Sequence, residues 1–145
     1  MDIGMKTKEK KERVIAEFLG CEIEDLTEKN YNCYGLPIYS DYAIGTDEEA
    51  DEAAREYIQD SLWAFNASFI IGECNLDYSL EDMITNWQQE KCESANDGIR
   101  SLIDNSCGID EFVNSAISAD GRGHFLATYD GNEIEQDGFY IYRIG

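Results

Sequence analysis

Glu48, Glu52, Glu56 and Asp60 recur at strict four-residue spacing, and Asp47, Glu49 and Asp51 crowd the start of the same stretch. On a helix, four residues rise about 6 Å and overshoot a full turn by about 40°, so such carboxylates form one slowly winding row. Fixed negative charges at that pitch resemble the phosphates along a nucleic-acid strand, and the chemistry they offer is recognition of a basic groove. Like charges four apart cost an isolated helix roughly 0.2–0.5 kcal/mol per pair. The single cation within the stretch, Arg55, relieves little of this repulsion. An ordinary solvated helix face, Glu-rich because Glu is a fair helix former, is the competing explanation. The charge of the whole chain tilts the balance towards recognition.

Metal binding and catalysis find less to build on. Asp104, Asn105, Ser106 and Gly108, and again Asp130, Asn132 and Glu133, are residue types found in calcium loops but not at their spacing. No dedicated metal or cofactor site is expected. His124 is the only histidine and stands near Tyr129 and Asp130, so a His–Asp pair could orient a base. No nucleophile elbow, phosphate-binding loop or zinc-helix motif accompanies it, and the expectation is a protein that is not an enzyme. Five cysteines (Cys21, Cys33, Cys74, Cys92 and Cys107) are widely spaced with no C-x-x-C pair, and read as reduced, mostly buried thiols.

The chain carries 31 acidic against 11 basic residues, a formal net charge of −20 over 145 residues. Solubility of a small domain needs a net charge of only about 2–8, so the excess predicts a use. It argues against nucleic acid or an anionic membrane as direct ligand, both of which repel such a surface, and favours a basic protein partner. Five cations, Lys6, Lys8, Lys10, Lys11 and Arg13, gather in the first thirteen residues and leave an even more acidic body behind a small basic head. No apolar run approaches the roughly 18–20 residues that span a bilayer, and the charged N-terminus lacks the apolar stretch of a secretory signal. A cytoplasmic protein is predicted.

The elements that must position these residues can be read from periodicity and punctuation. Residues 8–19 predict a helix stopped by Gly20. Residues 30–37 read as irregular, and residues 38–44 as one strand. Thr46 is a good N-cap with Glu49 as its capping-box partner. The helix they open carries Ala50, Ala54, Tyr57, Ile58, Ser61, Leu62 and Phe65 on its inner face and is expected to run to between residues 65 and 69. Further helices are predicted from Ser79, from an Asn96 cap, and over residues 109–117. From Gly121 the pattern changes to strand: 125–129, a hairpin turn at Asp130 and Gly131, a return over 133–135, a turn at Gly138 and a closing aromatic strand over 139–144. The fold class is α+β, with several helices packed around a small C-terminal antiparallel sheet in a single domain, residues 1–145.

The stretch DGRGHFLATYDGNE at 120–133, followed by FYIYR at 139–143, resembles a tail found in small, mostly uncharacterised proteins of tailed phages and their integrated relatives, with weaker similarity at YAIGTDEEA, residues 42–50. The resemblance implies origin on a mobile element and supplies no catalytic residue. By class and charge, small acidic phage proteins are similar to inhibitors of host defence, including DNA mimics that block restriction enzymes and anti-CRISPR proteins. The expectation is therefore an inhibitor of a basic nucleic-acid-binding host protein, contacting it through Asp47, Glu48, Glu49, Asp51, Glu52, Glu56 and Asp60. An adaptor that binds through an aromatic patch of Tyr31, Tyr34, Tyr39 and Tyr42 is the alternative.

Overall fold

The computed structural model describes residues 3–145, with side chains from residue 7 onward. Its first helix, α1 (Ile3–Leu19), buries Val14, Ile15 and Ala16. Gly20 ends it at φ +71, a left-handed conformation open to glycine at no steric cost. A 3-10 turn over Ile23–Asp25 leads into the sheet.

Five antiparallel strands follow the order β1-β2-β3-β5-β4, with β1 (Glu28–Cys33), β2 (Leu36–Tyr39), β3 (Tyr42–Gly45), β4 (Glu133–Gln136) and β5 (Phe139–Arg143). The α+β class holds, but three of the five strands precede the acidic helix. The expected strand over 38–44 is two strands, because Ser40 turns the chain at φ +56 and Tyr39 pairs with Tyr42. The stretch read as irregular is the β1–β2 hairpin, turned by Tyr34 and Gly35 at φ +50 and +94. Positive φ at both central residues matches the right-handed twist of the strands. The last hairpin turns at Asp137 and Gly138, as expected for Gly138, whereas Asp130 and Gly131 join no pair of strands.

Residues 122–126 form a short helix, α7 (Arg122–Leu126), in place of the expected strand. The Ala127 N–H donates to the Gly123 carbonyl at 2.9 Å, and the Gly131 N–H closes the loop onto the Ala127 carbonyl at 2.7 Å. A Cβ on Gly123 would lie 2.7 Å from the Gly131 carbonyl oxygen, so the loop packs against bare backbone there. The closing strand β5 is where the aromatic run placed it. The apolar face of α1 packs on the sheet: Val14 and Ile15 cluster with Tyr39, Ile44 and Ile141.

The acidic helix α2 (Asp47–Asp60) opens with the expected capping box. Glu49 N–H donates to Thr46 Oγ1 at 3.2 Å, and Thr46 N–H donates to Glu49 Oε1 at 2.9 Å. It stops at Asp60, well short of residue 65. The cause is Asn96. Its carboxamide donates to the Gln59 carbonyl at 2.7 Å and accepts the Trp63 N–H at 3.2 Å, intercepting the backbone bond that the next helical turn would make. Asn96 is thus no N-cap of its own helix. A 3-10 turn, Leu62–Ala64, follows, and Asn66 caps α3 (Ala67–Cys74) by accepting the Ser68 N–H.

Past α3, Asp77 rather than Ser79 organises the approach to α4 (Glu81–Lys91). Helices α5 (Asn96–Asp104) and α6 (Ile109–Asp120) complete the helical part. The chain divides into two compact units, residues 1–54 with 122–145, and residues 55–121. The boundary falls inside α2. In the second unit, Phe112 of α6 stands edge-on to Phe65 and Phe69 at 5.5 and 5.6 Å, and Ile70, Ile84, Ile99 and Ile103 are fully buried. Among the described residues no helix is long and apolar enough to cross a membrane.

Candidate functional site

The seven acidic residues separate into two classes. Asp47 and Glu49 are used by the fold. The Lys11 ammonium, with a side chain only 8% exposed, lies 2.8 Å from Glu49 Oε1 and 3.0 Å from Oε2. Burial alone would raise the Glu49 pKa, but the bonds from Lys11 and Thr46 outweigh it and hold the carboxyl below its ordinary 4.5. Asp47 meets Arg122, whose Nη1 donates to its Oδ1 at 2.8 Å and to its backbone carbonyl at 3.0 Å. The same guanidinium donates from Nε to Glu133 Oε1 at 2.9 Å and lies 4.7 Å over the Tyr140 ring. Tyr142 donates its hydroxyl to Glu133 as well. Asp47 and Glu49 fasten the start of α2, with their side chains 72% and 43% exposed.

Glu48, Glu52, Glu56 and Asp60 are exposed, and no ion pair to any of them occurs among the described residues. Asp51 is half-buried. Ala50, Ala53, Ala54 and Ile58 are fully buried on the opposite side of the helix, which leaves the row facing solvent. Glu48 and Glu52 also rim a shallow pocket of about 270 Å³ with Glu49, Tyr34, Gly35 and Leu36. Such a pocket suits a Lys or Arg side chain, its aliphatic stem against apolar wall and its cation on carboxylates. The hairpin residues of this pocket lie in the stretch 30–37 expected to be irregular. The alternation of Leu36 and Ile38 beside Gly35 was the available signal.

The tyrosine patch does not assemble. Tyr39 is fully buried and half-buried Tyr42 packs edge-on to Phe18 at 5.2 Å, which leaves Tyr31 (58% exposed) and half-buried Tyr34 for a partner. Arg143 lies 3.9 Å over the Tyr129 ring and donates to the Gly145 carbonyl. The basic head is partly absorbed by the fold: Lys8 reaches Glu28 at 3.5 Å, Lys11 holds Glu49, and the Lys6 side chain lies outside the described residues. His124 is exposed and edge-on to Phe125 at 5.0 Å. Of the cysteines only Cys74 is buried, which corrects the expectation of mostly buried thiols. Among the described residues no group of three or more His, Cys, Asp or Glu is placed to hold a metal ion.

Comparison with protein-family models, with curated proteins and with solved structures found no match to this chain.

Proposed function

We propose that this protein is a non-enzymatic inhibitor that occupies the basic cleft of a host nucleic-acid-binding defence protein, a CRISPR effector or restriction enzyme, in place of the nucleic acid. One observation carries the reading. Glu48, Glu52, Glu56 and Asp60 stand exposed along a single helix with no ion pair to any of them among the described residues, while their neighbours Asp47 and Glu49 are each paired with a cation of the fold. The row winds by about 120° over three steps of about 6 Å, a pitch suited to a groove that follows a strand. Complementary fields speed the encounter, and salt weakens it. The likeness of residues 120–143 to phage proteins supports the choice of a defence protein among basic partners.

The test compares the parent with the charge-reversed E48K/E52K/E56K/D60K chain and with a control of equal charge change, D104K/D110K/E111K/D120K. Each is assayed for displacing DNA or guide RNA from purified nucleases. Displacement by the parent and the control, lost in the row variant and weakened by added salt, supports the reading. If the parent displaces nothing, or if both variants behave alike, mimicry through this row is wrong. In the alternative reading, an adaptor binds through Tyr31 and Tyr34, and Y31A weakens capture of its partner while row reversal leaves it intact.

A further inference from the structure

We propose that Cys74 and Cys107 are a disulfide-forming pair, a reversible oxidation site that staples the end of α3 to the loop before α6. Their Sγ atoms lie 2.7 Å apart across 33 residues of chain. Two non-bonded sulfurs ordinarily keep well beyond that separation, whereas a disulfide is about 2.05 Å long, so bonding needs about 0.7 Å of closure.

The backbone under each sulfur is held in place. Cys74 is the last residue of α3, and the Asn75 that follows adopts the left-handed conformation while its N–H returns to Ile71. Cys107 sits in a loop tied to α5. The Ser106 hydroxyl donates to the Leu102 carbonyl at 2.7 Å, Asn105 Nδ2 to the Ser101 carbonyl at 2.8 Å, and the Gly108 N–H to the Ile103 carbonyl at 2.9 Å. The Phe69–Phe112 contact also joins α3 to α6. No other two cysteines are recorded within bonding reach of each other among the described residues.

The oxidant is a small-molecule disulfide such as oxidised glutathione. Cys107 is half-buried and Cys74 is 6% exposed, so attack starts from Cys107. Its thiolate attacks one glutathione sulfur, the glutathione S–S bond breaks, and one glutathione leaves as a thiolate. The Cys74 thiolate then attacks the Cys107 sulfur and expels the second glutathione. Two protein thiols are oxidised, one disulfide is reduced to two thiols, and the two cysteine protons pass to the departing thiolates. Burial, and next the bond from Cys74, push the Cys107 thiol up to about 12, which makes this exchange slow at neutral pH and faster in alkali.

The experiment incubates native protein with excess oxidised glutathione, blocks remaining thiols and maps linked peptides by mass. The expected result is a Cys74–Cys107 link and a rise in melting temperature of about 10 °C, reversed by dithiothreitol. That shift disappears in C74S and in C107S but persists in C92S. A link mapped to another pair, glutathione adducts alone, or five free thiols after prolonged alkaline exposure would overturn the assignment. Mapping uses the unmutated chain, so a serine variant that fails to fold leaves the decision intact. The outcome is independent of the acidic row.

Discussion

Removing either partner of the Lys11–Glu49 pair should have unequal consequences, because the two ends sit in different surroundings. The Lys11 side chain is 8% exposed and that of Glu49 is 43% exposed. Glu49→Ala leaves a buried ammonium without its anion. Stripping one partner from a fully buried pair costs about 3–5 kcal/mol. With one end wetted, about 2 kcal/mol is the better figure, and loss of the reciprocal cap adds up to about 1 kcal/mol. The total is about 3 kcal/mol, a fall in urea midpoint of about 1.5 M at an ordinary slope. Lys11→Met keeps the apolar stem, removes the buried charge and returns Glu49 to water, so it should cost less than about 1 kcal/mol. The K11M/E49A double variant should be well above the E49A single, because no orphaned cation remains. Acid unfolding supplies a second readout. A carboxyl held below 4.5 in the fold contributes stability above the unfolded pKa and loses it as pH falls through the folded value. K11M should therefore flatten the stability loss between about pH 5 and 3. Urea melts in which K11M costs as much as E49A, or E49A costs nothing, would refute the asymmetry.

Tyr39 is fully buried and its hydroxyl has no partner among the described residues, so Tyr39→Phe should be neutral or stabilising by about 1 kcal/mol in thermal melts, against the usual penalty for losing a buried hydroxyl. Gly98→Ala sets helix propensity, which favours alanine by about 1 kcal/mol, against a Cβ placed 2.0 Å from the Trp87 indole. The clash should win, with a net loss of about 1–2 kcal/mol by urea unfolding. Arg122→Ala should cost about 2–4 kcal/mol by calorimetry, and Arg122→Lys should recover only part, because one ammonium cannot span Asp47, Glu133 and a carbonyl as the guanidinium does.

What could be read from the residues was whatever local chemistry decides. The Thr46–Glu49 box, the Gly20 stop and the aromatic strand β5 each rest on neighbours a few positions away, and each stands where expected. Long-range bonds explain the failures. Nothing near residue 60 announces that α2 will end there, because Asn96, 37 residues from Gln59, takes the carbonyl that the next turn needed. The 125–129 stretch has strand composition, but the close approach of Gly123 to Gly131 selects a helical turn. At the site, exposure of the row followed from its spacing opposite buried alanines. The diversion of Asp47 and Glu49 did not, since it depends on Arg122 and Lys11 arriving from elsewhere in the chain.

That diversion sharpens the argument for a presented charge row. Two of the scarce cations are committed to the start of this helix. Lys11 and Arg122 are drawn into poorly exposed positions, where each bonds one carboxylate at the first turn of α2, and Arg122 holds a second on β4. Both anchors act where the helix dipole already favours negative charge, so they fix the position of the helix more than they relieve its repulsion. Glu48, Glu52, Glu56 and Asp60 stand exposed along the same helix, with no ion pair to any of them among the described residues. Carboxylates carried on a formed helix suit a phosphate-like surface, because each charge placed before the encounter need not be ordered on binding.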